Sequence, residues 1–254
     1  PAMGRGAGRG VGGMPARRGA GRPLSKGAIT GLGDTGQVGR GLVERVGGRR
    51  FKRRKVRIGG PAAITAGERR AVTEAARRSG AADAQLIEQP LAAAIGADLP
   101  ISEPVGNMVV DIGGGTSESA LLSLGGVVAL EAVRTGSFDL DAHIQAFVRR
   151  EYGLAIGERT AEEIKMTIGS AAPTPNEMRA EVRGRELMTG LPKTVVLTPP
   201  EIRRAIEEPL STIIESVVTC LSPAPPELAH ALLVQGLPPV RGGSLLPRRA
   251  GPLV

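Results

Sequence analysis

Apolar residues in this chain fall into short runs punctuated by glycine and proline, and the period of the runs changes along it. Val56-Arg57-Ile58 alternates and predicts a strand, followed by a turn at Pro61, Ala62 and Ala63. Thr65, with Glu68 three residues on, reads as a capping box. The helix it opens carries Ala71, Val72, Ala75 and Ala76 as a narrow apolar face and ends at Gly80. Ala84 to Ile87 predicts a short strand. Pro90 opens the next helix at a first-turn position, with Leu91, Ala94 and Ile95 on its buried side. Leu99 to Gly106 is a linker with two prolines. Val109-Val110-Asp111-Ile112 is then a buried strand running into Gly113-Gly114-Gly115-Thr116, and a second strand leaves through Ala120 to Leu124.

Val127 to Val133 continues that sheet. Asp139 to Tyr152 has Leu140, Ile144, Phe147 and Val148 at helical spacing, and Thr160 begins a helix carrying Glu162, Glu163 and Lys165. Ala180 to Val182 and Thr194 to Leu197 read as strands around a turn at Thr189 to Pro192. Pro199 or Pro200 opens a long helix that reaches Leu221, broken or bent near Pro209. Strand–helix–strand–helix, then a glycine hairpin, predicts α/β layers with a hinge between two related halves near residue 106.

Composition changes this picture in two ways. Aromatics are 2% of the 254 residues and Trp is absent, so the core must be mainly Val, Ile, Leu and Ala. Charge is uneven. Residues 1–60 carry 15 Lys/Arg against Asp34 and Glu44, a net +13, while the remainder is −5. Residues 1–21 are Gly, Arg and Ala without apolar periodicity and read as a disordered tail. Such Arg-Gly segments bind nucleic acid or acidic lipid through charge, but this one lacks bases' usual stacking partners, so nucleic acid is the less favoured partner. Arg49 to Arg57 packs seven basic residues around Phe51, either a solvated loop or a segment drawn to an anionic membrane surface. Gly36, Gly39 and Gly41 would each weaken a helix by about 1 kcal/mol against Ala. A single cysteine, Cys220, rules out an internal disulfide framework and suits a reducing cytosol. It lies on an apolar helix face where core packing is its expected role. No signal peptide or membrane-spanning apolar run is visible. His143 reads as a plain surface histidine.

The stretch with the most chemistry is Asp111 to Glu118. Glycine lacks a Cβ, so backbone amides can turn toward an anion and approach it closely. Asp111 could hold a hydrated Mg2+, which keeps several waters and needs few carboxylates. Thr116 could offer a hydroxyl to a phosphate or an attacking water. On pattern alone an ordinary glycine-rich hairpin remains open. No Gly-Lys-Ser/Thr follows, so this is not a Walker loop.

The surrounding blocks decide between these readings. Asp111 to Thr116 resembles the second phosphate loop of the actin-like ATPases, and Asn107 to Thr116 resembles the MreB family of bacterial actins. Similar blocks run through Glu68-Arg69-Arg70-Ala71-Val72, Leu86 to Ala97, Ile156 to Lys165 and Gly184 to Lys193, in the family's order. The resemblance extends from about Arg22 to about Gly236. It implies an actin-like α/β fold with ribonuclease-H-like mixed sheets. Residues 22–106 would be an incomplete first half and 107–254 the second half, with 137–206 as its outer subdomain. ATP–Mg2+ would sit between the halves. Gly113, Gly114, Gly115 and Thr116 match the phosphate loop, and Glu162 and Lys165 match a pair that contacts the nucleoside, their i, i+3 spacing placing both on one helical face.

Four departures qualify the resemblance. Nothing in residues 1–21 matches the family's opening phosphate loop, Asp-Leu-Gly-Thr-Ala-Asn-Thr. Gln89 stands where the family has the glutamate that orients the attacking water; an amide can hydrogen-bond water but is no carboxylate base. Actin uses a glutamine in this region too. The family's Gly-Gly-Asp appears as Gly136-Ser137-Phe138. Its late adenine loop appears as Pro239-Val240-Arg241-Gly242-Gly243-Ser244. Residues 107–226 are expected to be the better-folded part, with the first 55 and last 20 residues poorly packed. The resemblance implies a cytoplasmic, filament-forming cell-shape protein, membrane-associated, that binds ATP with weak or lost hydrolysis. It would assemble with itself or a complete MreB and organise wall synthesis. An adaptor that binds no nucleotide, or a remnant without function, is the alternative.

Overall fold

The computed structural model describes residues 55–228 apart from Ala63 and Asn176, together with Leu232 and the backbone of three short strands, 24–25, 28–29 and 239–240. Expectations for residues 1–21, for the glycines at 36, 39 and 41, for the basic run before Lys55, and for Gly242, Gly243 and Ser244 lie outside the described residues. The chain divides into two compact units, Pro1–Asp98 and Leu99–Val254.

In the first unit, β1 (Leu24–Ser25) and β2 (Ala28–Ile29) pair antiparallel. β3 (Lys55–Gly60) runs parallel to β4 (Asp83–Glu88), and α1 (Ala66–Arg78) is the crossover between them. Its capping box forms as read. The Glu68 carboxylate accepts from the Thr65 N–H at 2.7 Å, and the Glu68 N–H donates to the Thr65 hydroxyl at 3.2 Å. Both donors would otherwise be orphans of the first turn. α2 (Gln89–Gly96) follows with Pro90 in its first turn. Its buried face is narrower than the pattern suggests. Pro90 and Ala94 are buried four residues apart, whereas Ile95 is 56% exposed. One step along a helix is about 100° of rotation, which carries Ile95 off that face. The buried hydrophobic residues of this unit, among those described, are Ala75, Ala81, Ala84 and Ala94.

The second unit holds two sheets. In one, β5 (Asn107–Ile112), β6 (Ser117–Ser123) and β7 (Gly126–Val133) form an antiparallel meander, with β11 (Pro239–Val240) parallel to β5 on its other side. Every residue of β6 is buried. The other sheet joins β8 (Leu154–Ala155), β9 (Ala180–Glu186) and β10 (Pro192–Leu197). α3 (Ser137–Tyr152), α4 (Glu158–Ile168) and α5 (Pro199–Leu221) pack with these sheets. Leu140, Ile144, Phe147 and Val148 of α3 all enter the larger core, with Ile164 and Ile168 of α4 and Ile202 and Ile206 of α5. A smaller core gathers Met108, Val110 and Leu121 around Cys220. The Cys220 thiol donates to the Ser119 carbonyl, and burial pushes its pKa up, so it behaves as a packed core thiol.

α5 corrects the expectation of a break. It runs unbroken through Pro209, although proline has no N–H for the helix ladder. Pro209 is itself buried, and the helix has an anchor in each core, Ile202 and Ile206 on one side and Cys220 on the other. Tertiary packing on both sides overrides the local penalty. His143 lies at the surface, its side chain 37% exposed, with Nδ1 2.8 Å from the Asp139 carbonyl and Nε2 3.4 Å from a Glu208 carboxylate oxygen. No helix among the described residues is long and apolar enough to cross a membrane.

Candidate phosphate-binding turn

The turn between β5 and β6 is closed by the Gly113 N–H, which donates to the Thr116 carbonyl at 2.8 Å. The start of α3 then grips it. Ser137 N–H donates to the Gly113 carbonyl at 2.9 Å and Phe138 N–H to the Gly114 carbonyl at 2.8 Å. A trans peptide is planar, with its N–H opposite its C=O. Drawing these two carbonyls to α3 therefore directs the N–H groups of Gly114 and Gly115 away from α3. Successive amides aimed to one side are what an anionic oxygen needs.

Close approach explains the glycines. A Cβ on Gly114 would lie 2.6 Å from Phe138 Cε2, and one on Gly136 would lie 2.7 Å from the Gly114 carbonyl carbon. Among the described residues, the glycines with left-handed backbone, Gly80, Gly125, Gly153 and Gly190, are all elsewhere. The first turn of α3 is satisfied within the protein, because Asp139 accepts from the Gly136 N–H at 2.8 Å while the next two amides hold the glycine turn. Asp139 thus works as a cap, beside the position where the carboxylate expected from the resemblance is replaced by the half-exposed ring of Phe138.

Asp111 lies at the end of β5, 2% exposed, and its register partner across the hairpin is Glu118, 1% exposed. Directly opposed residues of an antiparallel pair project from the same face. Two neighbouring carboxylates disfavour joint ionisation unless a donor or cation lies near. This donor set suits Mg2+, a hard cation that takes oxygen ligands and retains water. Asp111, with Glu118 beside it, is the group that would hold it.

The structure treats Glu162 and Lys165 differently. Glu162 is exposed on α4, whereas Lys165 is 4% exposed, its ammonium 2.7 Å from Asp141 Oδ1 and 3.0 Å from the Ser137 carbonyl it donates to. Thr116 is half-buried in the turn. Gln89 belongs to the first unit, where it opens α2 with its Cγ 3.6 Å from a Cβ built on Gly59. Thus Asp111, Gly113, Gly114, Gly115 and Thr116 come together in one turn, with Lys165 joined to it through Ser137. Asp141 and Glu118 escaped the sequence reading. Glu118 was open to it, since a hairpin centred between Gly114 and Gly115 pairs that residue with Asp111. Asp141 had no local signal, because its partner lies on the following helix.

The family model described as MreB/Mbl protein matches residues 1–249, further at both ends than the blocks from Arg22 to Gly236. The cell shape-determining protein MreB of Escherichia coli is 43% identical over 247 residues, covering 96% of this chain and 71% of that protein. MreB5 of Spiroplasma citri, solved bound to ADP, superposes with a TM-score of 0.90 at 31% identity, covering 97% of this chain and 74% of that one. Its AMPPNP-bound form gives 0.87. The MamK double helical filament, 21% identical with a TM-score of 0.73 over 87% of this chain and 67% of that one, shares the fold.

Proposed function

We propose a function from one premise: the chain belongs to the MreB/Mbl family. It has the actin-like fold and is an MreB-like homologue of the cell-shape-determining proteins. The activity we infer is binding of ATP or ADP by the turn Gly113-Gly114-Gly115-Thr116. The observation that carries it is the grip of α3 on the Gly113 and Gly114 carbonyls, which aims the next two amides together. Mg2+ would supply charge neutralisation of the phosphates and would be held through water by Asp111. Phosphoryl transfer depends mainly on such positioning and charge stabilisation. Thr116 would orient a phosphate or the attacking water. Gln89 can hold a water by hydrogen bonding without removing its proton, so hydrolysis would be weak or lost. Glu162 would face the nucleoside, and Gly242, Gly243 and Ser244 would line the adenine.

Support for this reading also comes from the S. citri relative, solved with ADP and with AMPPNP. We place residues 22–106 in the first actin-like half and 107–254 in the second, with 137–206 as its outer subdomain. The chain would work in the cytoplasm, in filaments of itself or of a complete MreB at the membrane surface, organising wall synthesis. A second reading, an adaptor that binds no nucleotide, is favoured by one observation: Phe138 lays an apolar ring against Gly114 where the resemblance calls for a carboxylate.

Thermal unfolding with and without millimolar Mg-ATP separates them. A ligand at 100 times its Kd adds about 2.7 kcal/mol to native stability. The nucleotide reading expects a rise in Tm that Asp111→Ala abolishes. An unchanged Tm in a cooperatively folded chain would contradict it and leave the adaptor.

A further inference from the structure

Three glycines in a row cannot hold their own shape. Glycine has no side chain to restrict its backbone, and it loses more conformational freedom on ordering than any other residue. What restrains Gly114 comes from α3. The Phe138 N–H donates to the Gly114 carbonyl at 2.8 Å, and the ring of the same residue lies against Gly114. Ring carbons Cε2, Cζ and Cδ2 stand 2.6, 2.9 and 3.2 Å from the place a Cβ on Gly114 would take. The ring thus fills the space of the side chain that Gly114 does not have. Phe138 is 41% exposed and belongs to neither core; the turn is where it packs. With the Ser137 N–H on the Gly113 carbonyl, two main-chain bonds and one ring hold the turn from the same side.

We propose that Phe138 is a positioning residue of the phosphate site, its ring holding the Gly114 and Gly115 amides in the arrangement an anion needs before any ligand arrives. The physical reason is preorganisation. A ligand that must order a loose turn loses the free energy of that ordering from its affinity. Fixing the backbone of one residue corresponds to about a tenfold change in affinity. The ring does this without occupying the ligand's place. It belongs to α3, and the two amides are directed away from α3, so ring and anion meet opposite sides of the turn. The proposal rests on the nucleotide reading for its consequence for ligand; the ordering of the turn belongs to the ligand-free protein.

The test compares the full chain with Phe138→Ala and Phe138→Leu. Alanine keeps the N–H that donates to Gly114 and suits a helix, so the main-chain grip can still form. In ligand-free Phe138→Ala, NMR order parameters of the Gly114 and Gly115 amides should fall from about 0.85 toward about 0.6. Amides of β6 and of the rest of α3 should keep their exchange protection, which a general loss of stability would not allow. Calorimetric titration should show the Kd of Mg-ATP and of Mg-tripolyphosphate rising by the same factor, about tenfold. Phe138→Leu covers less of Gly114 than the ring does. It should give a smaller change in the same direction, and it supplies the comparison if Phe138→Ala does not fold. Unchanged order parameters in a folded variant would overturn the proposal, and so would an unchanged Kd with a loosened turn. A loss confined to Mg-ATP would overturn it by placing the ring on the nucleoside. Tighter binding by Phe138→Ala would overturn it by making the ring an obstruction, as the adaptor reading has it. If the wild-type chain binds neither ligand, the nucleotide reading falls, and the ligand-free order parameters still decide whether the ring orders the turn.

Discussion

Leu124 is held at φ 50° and Gly125 at φ 75°, the two central residues of the β6–β7 hairpin. Positive φ at both is the type I′ turn, which matches the right-handed twist of paired strands and favours Asn or Gly first. A leucine there carries the left-handed penalty of roughly 1–2 kcal/mol. At 72% exposure it recovers little through burial. Leu124→Asn should therefore raise stability by about 1 kcal/mol in urea unfolding. The main-chain bonds to Glu103 and Ile101 do not depend on the side chain. A less stable variant would contradict the turn geometry. A second residue-scale consequence concerns pH. The Tyr152 hydroxyl donates to Glu201, and that bond, with burial, pushes the tyrosine pKa up to about 12. Burial pushes the Glu201 carboxyl up, but hydrogen bonds from Thr198 and Tyr152 overcome it and hold it below the usual carboxylate range. A raised tyrosine pKa means its contribution is complete below pH 10 and is lost as pH rises toward 12. The depressed Glu201 pKa means its contribution is present above the ordinary carboxylate range and fades as pH falls through the folded value. Tyr152→Phe should cost about 1 kcal/mol at neutral pH and flatten the alkaline limb between pH 10 and 12. An unchanged alkaline limb in Tyr152→Phe would assign the loss to other groups.

Elements differ in how firmly they are held. α3, α4 and α5 share large buried side chains, including Phe147 with the guanidinium of Arg204 5.5 Å above its ring. α1 buries Ala75 alone among its residues, so its ends matter more. Thr65→Ala should cost about 1 kcal/mol by removing the hydroxyl that caps the Glu68 N–H. Hydrogen exchange should show the loss in α1 and not in α3; equal acceleration in both helices would mean the cap acts globally. These elements were legible to different depths. The α1 capping box and the α3 stripe from Leu140 to Val148 depend on contacts within one or two turns, which sequence spacing displays. Ile95 misled because apolar character does not say which way a short helix faces. Pro209 misled as a break because the local rule omits the two cores that carry α5 through it. The Asp141–Lys165 pair was hidden because it joins two helices across 24 positions.

At the scale of the whole molecule, the blocks that resembled MreB led to the family and the fold, and the family match reaches to both sides of them, over residues 1–249. The phosphate turn was legible as a glycine run after a strand. Its working parts were not: the grip of Ser137 and Phe138, the Glu118 carboxylate beside Asp111 and the buried state of Lys165 are products of tertiary assembly. On the proposed function, two amides of this turn, those of Gly114 and Gly115, receive a phosphate. Backbone amide NMR during a Mg-ATP titration tests it most directly. Saturable shifts are expected at Gly114 and Gly115, with a smaller change at Gly113, whose N–H is already held by the Thr116 carbonyl. Gly114 and Gly115 signals that stay in place at saturating Mg-ATP would contradict it.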